Sequence, residues 1–163
     1  MKRFQEIQRF DQWWIKALLI IVIIATLLPI ISIVQQTNTG PEDIIAASVG
    51  FITVLAVSVF IFSLQLKTTI NSRGIEYQFK PFQKKTIPWK EITECYVRTY
   101  NPLREYGGWG LRWGLSGKAL NIKGNKGIQI VLKDNKKILL GTQKENEAKN
   151  VIETYFTINN STP

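Results

Sequence analysis

Two long runs without a charge dominate the pattern of apolar and polar positions. From Ala17 to Val34 the chain carries 18 consecutive uncharged residues, and Trp13–Lys16 extend this run to the length of a bilayer crossing. The second run, Ile44 to Leu66, has 23 residues without a charge. The residues between them, "QQTNTGPED", include Gly, Pro and two acids but no base. The pattern predicts two membrane-spanning helices, 13–34 and 44–66, joined by a short loop over 35–43. A cleaved signal sequence fits poorly: "PIISIVQQTNTG" shows no small-x-small cleavage site, and a second span follows at once. Trp13 and Trp14 suit the interfacial aromatic belt, and Lys16 can reach outward to the headgroups. Ala46, Ala47, Ser48 and Gly50 form a small-residue patch suited to close packing within the hairpin or to self-association.

From Lys67 the period shortens. "TTINSRGIEYQFK" predicts two strands around a turn at Ser72–Gly74. Pro88 lacks a donor and belongs at a strand edge or bulge. Ile92, Cys95 and Val97 mark an extended stretch with Cys95 in the core. Ala119–Ile122, Ile128–Leu132 and Lys136–Leu140 read as strands, with turns at 123–127 and at Asp134-Asn135. The period then changes to that of a helix. Thr142 and Glu145 fit a capping box, and Ala148, Val151, Ile152 and Tyr155 share one face. Helical pattern ends near Phe156, leaving 157–163 as a polar tail. The soluble part thus predicts about seven short strands and one amphipathic helix, which must bury its apolar face on the sheet.

Charge adds orientation. The net charge is +9, and from Lys67 onward 17 Lys and Arg face 8 Asp and Glu. Lys2, Arg3, Arg9 and Lys16 precede the first span, and Lys67, Arg73 and Lys80 follow the second. The positive-inside rule then places both termini in the cytoplasm, with 1–12 as a cytoplasmic N-terminal segment. A basic domain favours anionic partners, although dispersed charge also serves simply to solvate a surface. With one cysteine and no histidine, the chain has no intramolecular disulfide, no His- or Cys-based metal site and no Ser-His or Cys-His nucleophile. No cofactor is expected.

The segment "REYGGWGLRWGLSGKALNIKGNKG", Arg104–Gly127, raises the question of chemistry. Its glycines are spaced GxGxxxG, and a strand follows rather than a helix N-terminus, which excludes a nucleotide loop. Two readings remain. In the first, glycines shape a corner between two strands of a curved sheet, and Trp109 and Trp113 fill the core or seat a neighbouring subunit. In the second, Tyr106, Trp109 and Trp113 with Arg104, Arg112 and Lys118 form a lip for lipid headgroups or a partner. The scattered carboxylates form no acid–base pair, and the basic residues build no base-reading motif. Neither catalysis nor nucleic-acid binding is expected.

"IPWKEI" (Ile87–Ile92), "GGWGLR" (Gly107–Arg112) and the last hairpin and helix, Lys136–Glu153, together with the preceding hairpin, resemble the bacterial pleckstrin-homology-like (PH-like) domains. The resemblance covers about 67–156. It implies a seven-stranded curved antiparallel sheet, or partly open barrel, capped by a C-terminal helix, and supplies no catalytic residue. The expected protein is a two-pass bacterial inner-membrane protein with a cytoplasmic PH-like domain over 67–156. Its expected role is a non-enzymatic interaction or scaffold module, self-associating or bound to another membrane protein. Recognition of anionic lipid headgroups is the alternative, and an enzyme of unrecognised type the third class.

Overall fold

The computed structural model describes residues 3–35, 40–82, 84–114 and 116–160, the last four by backbone alone. The chain forms two compact units, Phe10–Ser63 and a second composed of Met1–Arg9 with Leu64–Pro163.

The first unit is a pair of helices, α1 (Trp13–Gln35) and α2 (Pro41–Ser63), each of 23 residues. At 1.5 Å per residue each is about 34 Å long, enough for a hydrocarbon core of about 30 Å. Both are long and apolar enough to cross a membrane. Their side chains are largely exposed, unlike those of a core helix in a soluble protein: among the described residues only Ser58 is buried. The covered positions include 19, 23, 26, 30, 33 on α1 and 47, 51, 54, 58, 61 on α2. This alternation of four and three is the seam of two helices packed at a shallow angle. Hydroxyls are satisfied within the helices, as in Ser58 Oγ to the Val54 carbonyl (2.7 Å) and Thr53 Oγ1 to that of Val49 (2.8 Å). The small-residue patch divides: Ala47 and Ser48 lie half-buried, whereas Ala46 and Gly50 face outward. The second helix begins three residues before the apolar run, because Pro41 suits a first-turn position and Glu42 and Asp43 oppose the positive helix end. It ends at Ser63, so Leu66 is a domain core residue rather than part of a span.

The second unit holds nine strands among the described residues: β1 (Phe4–Arg9), β2 (Gln65–Asn71), β3 (Gly74–Lys80), β4 (Lys85–Pro88), β5 (Ile92–Thr99), β6 (Gly110–Gly114), β7 (Gly117–Asn121), β8 (Lys126–Leu132) and β9 (Lys137–Gly141). A short helix α3 (Pro102–Tyr106) and a terminal helix α4 (Glu145–Asn160) complete it. The first sheet is an antiparallel meander, β1-β2-β3-β4, and the second has the order β5-β8-β9-β7-β6. Neither sheet closes on itself. The β6–β7 hairpin joins through a parallel pairing of β7 with β9, so the turn at 123–127 links strands that are not neighbours.

Within residues 1–12, expected as an N-terminal segment ahead of the first span, Phe4–Arg9 form β1. It pairs with β2 from Phe4↔Ile70 to Arg9↔Gln65 and alternates buried and exposed. The helical hairpin is therefore an insertion between two adjacent strands of the soluble domain. The remaining differences from the expected architecture are the separate β6–β7 hairpin, the helix α3, and an α4 that continues to Asn160 where a tail was expected from 157. Residues 161–163 lie outside the described residues.

α4 packs against β1, β2, β5 and β8, thereby touching both sheets. Its face of Ala148, Val151, Ile152 and Tyr155 is buried, as are Phe4, Leu66, Ile70, Ile128 and Ile130 on the strands it packs against. The expected capping box is replaced by a tertiary cap. Glu6 of β1 accepts from Thr142 Oγ1 (2.6 Å) and from the Gln143 backbone N–H (2.8 Å), and Thr142 Oγ1 accepts from the Lys144 N–H (3.1 Å). Glu145 instead pairs with Lys126 at 3.0 Å. Cys95 is buried as expected, and desolvation pushes its thiol up to about 12, leaving it inert as a nucleophile.

Candidate functional site, a basic cleft between the sheets

The glycine-rich segment begins with a helix that its own residues specify. Asn101 caps α3 by accepting from the Arg104 N–H at 3.1 Å, Pro102 occupies the first turn, and Gly107 ends the helix in the left-handed conformation at φ 70°. "GGWG" thus joins a helix to β6, not two strands. The signal stands in the sequence as "NPLREYG", hidden by the short length of the element.

The six residues that the second reading gathers into one lip separate. Tyr106 points into the core, edge-on to Tyr100 with ring centroids 6.0 Å apart. Trp109 is half-buried, and its ring N–H donates to the Gly124 carbonyl at 3.0 Å. Arg112 is exposed but folds back, its Nε donating to the Trp109 carbonyl at 3.0 Å. Arg104 is exposed. Only Trp113 and Lys118 come together, as cross-strand partners on β6 and β7 with the Lys118 ammonium 5.3 Å from the ring centre.

Beneath this corner a polar network fixes the geometry. Buried Asn121 accepts from the Gly110 N–H (2.8 Å) and donates to the Tyr100 hydroxyl (2.9 Å). Arg98 donates to Glu105 Oε2 (2.7 Å), the Tyr106 hydroxyl (3.3 Å) and Gln129 Oε1 (2.9 Å). Burial pushes the Tyr100 phenol up to about 12, so it remains a neutral hydrogen-bonding group. The Arg98 hydrogen bond holds the Glu105 carboxyl below its ordinary value. A carboxyl lowered by folding stabilises the native state above its unfolded value, about 4.3, and loses that contribution as pH falls through the folded value. Glu105→Gln is accordingly expected to cost about 1 kcal/mol near neutrality, given the partly exposed pair. In denaturant titrations of the chain this cost should shrink below about pH 4.

Trp113 and Lys118 line a cleft of about 700 Å³ together with Tyr77, Lys85 and Ile87 of the first sheet and Asn135, Lys136, Lys137 and Ile138 of the second. Its floor is apolar, since Tyr77 and Ile87 are buried. Its rim carries four lysines and no acid. Lys136 is held by Asp134 at 2.7 Å, while no ion pair engages Lys85, Lys118 or Lys137 among the described residues. Burial, and then repulsion from Lys85, pull the Lys118 ammonium below its ordinary value. Lys85, Lys118 and Lys137 therefore concentrate positive charge that no acid pairs with among the described residues. Trp113, 69% exposed, stands over it as an accessible aromatic face.

Sequence reasoning missed Lys85, Lys136 and Lys137. Their signals, "QKK" and "KDNKK", read as ordinary turn lysines. The pairing of β7 with β9 is what sets Lys118 beside Ile138 and so gathers them. No family model matches the chain, and no curated protein shows significant sequence similarity to it.

Proposed function

We propose that this protein is a membrane-anchored, non-enzymatic interaction module whose basic cleft receives an anionic group carried by a partner. The carrying observation is that Lys85, Lys118 and Lys137, without acidic partners among the described residues, stand beside exposed Trp113 over an apolar floor. Such a site binds by charge, aromatic contact and shape. The reading of the soluble unit as PH-like draws support from its topology. With the β6–β7 hairpin set aside, a four-stranded meander, a three-stranded meander β5-β8-β9 and a closing helix remain. The cytoplasmic assignment of both termini in a bacterial inner membrane draws support from two features. Strands β1 and β2 flank the hairpin and pair with each other, so both ends of the hairpin start from one strand pair. The basic residues flank the spans, while Glu42 and Asp43 occupy the connecting side.

Recognition of anionic lipid headgroups is the second reading, favoured by the exposed Trp113 ring stacked by Lys118, a pair suited to the membrane interface. A photoreactive phenylalanine analogue in place of Trp113, in the full-length protein in native membranes, separates the two. The proposal expects protein adducts, either a second copy of the chain or another membrane protein. Lys118→Glu with Lys137→Glu should reduce them at least about tenfold, as expected for lost charge-assisted contacts. Lipid adducts alone would establish the second reading. Adducts indifferent to the charge reversals would overturn both.

A further inference from the structure

The turn between β3 and β4 carries a feature that the cleft does not use. Phe82 is 51% exposed, its ring stacked on buried Phe79 at 6.4 Å, and its backbone N–H donates to the Phe79 carbonyl at 2.8 Å. An aromatic side chain is thus presented at the surface. Exposed Lys80 precedes it, whereas Lys84, which follows, pairs with Glu76, and Lys85 belongs to the cleft.

The strand register says which end of the sheet this turn occupies. Arg9 pairs with Gln65, and Gln65 pairs with Lys80. Gln65 lies two residues after α2 ends at Ser63, and Arg9 lies four residues before α1 begins at Trp13. Neighbouring strands are about 4.8 Å apart, so Lys80 lies within about 10 Å of Arg9 across the two ladders. Chain connection alone therefore brings Arg9, Lys80 and Phe82 to the end of the sheet from which both spans depart. The opposite end, at the Ser72–Arg73 turn, lies about six residues up β3, or roughly 20 Å away.

We propose that Lys80 and Phe82 rest on the anionic bilayer surface, with the Phe82 ring entering the interfacial region and Arg9 and Lys80 pairing with lipid phosphates. Aromatic rings flanked by long cationic side chains fit this boundary, where the ring is shielded from water and the ammonium stays hydrated. Tethering makes the local concentration of surface high, so one ring and two cations suffice to hold the contact. This surface is separate from the Trp113 cleft, and the proposal rests on α1 and α2 spanning the membrane.

The test uses the full-length protein in vesicles of phosphatidylglycerol and phosphatidylcholine. A single environment-sensitive label is placed at Phe82→Cys, Ser72→Cys or Ile24→Cys, since inert Cys95 stays unlabelled in the folded protein. Spin-labelled lipids serve as quenchers. The label at 82 should be quenched several-fold more than that at 72 by headgroup-labelled lipid, and Arg9→Glu with Lys80→Glu should abolish the difference. The same effect should survive Lys118→Glu with Lys137→Glu, which alter only the cleft. Equal quenching at 82 and 72, with Ile24 quenched by chain-labelled lipid, would overturn this contact while leaving the spans intact. An unquenched label at Ile24 would overturn the membrane reading itself.

Discussion

A chain lacking residues 1–9 is expected to lose its folded β domain, although every residue after the hairpin is retained. Phe4 is completely buried against the core, and a buried Phe reduced to Ala costs about 3–5 kcal/mol. Glu6 adds two buried hydrogen bonds to a charged group, each worth roughly 1.5–3 kcal/mol. Gln8 adds one more, donating to the Gly141 carbonyl at 2.6 Å. Together these approach the whole stability of a typical domain, about 5–15 kcal/mol. Loss of protease resistance and of a cooperative unfolding transition would register the effect. The converse protein, in which Arg9 is joined to Gln65 through Asn-Gly, replaces the helical hairpin with a two-residue turn matched to antiparallel strands. It should fold as a soluble domain. A stable 64–163 fragment would show that β1 is dispensable and would sink the prediction.

Trp89→Ala is expected to cost about 3–5 kcal/mol, the range for deleting a large buried ring. The ring is buried at the start of a single 3-10 turn, with its centroid 6.3 Å from that of Tyr155 and 6.2 Å from that of Phe156, and its N–H donates to the Asn71 carbonyl at 2.9 Å. It thus links the β2–β3 turn to α4. The substitution removes packing and leaves a carbonyl without its donor. Hydrogen exchange should show the loss first in α4, ahead of β8 and β9. Trp89→Phe keeps most of the packing but not the hydrogen bond and should cost markedly less. Equal costs for the two variants would assign the effect to the indole N–H alone.

What could be read in advance followed from strong local signals. The two spans appear as charge-free runs long enough for a bilayer. β2, β3, β8 and β9 appear as alternation bounded by turns, and Gly74 is a clear turn residue. Its φ of 146° and its close approach to the Ile87 carbonyl leave no room for a side chain. α4 showed its face through Ala148, Val151, Ile152 and Tyr155. Hidden features were those whose partners lie far away in sequence. "FQEIQR" is six residues long, alternates only weakly and sits before a long apolar run, so nothing local marks it as a core strand. Thr142 looked like half of a capping box with Glu145, but its hydroxyl donates to Glu6, 136 residues earlier. Six residues of the glycine-rich segment looked like one surface because they are close in sequence. Yet Tyr106 follows the helical turn inward, and Trp109 is tied to Gly124.

The sequence by itself determined the two apolar helices long enough to cross a membrane, the strand-rich basic domain after them and the closing helix, because periodicity, charge and turn chemistry act over a few residues. Tertiary structure alone decided that the hairpin interrupts a β-meander, and that Trp113 and Lys118 meet Lys85 and Lys137 in one cleft. Those outcomes depend on strand pairings between distant segments, β1 with β2 and β7 with β9. A pairing is selected by which arrangement buries the most apolar surface while satisfying every backbone donor, and no local window of the chain contains both partners.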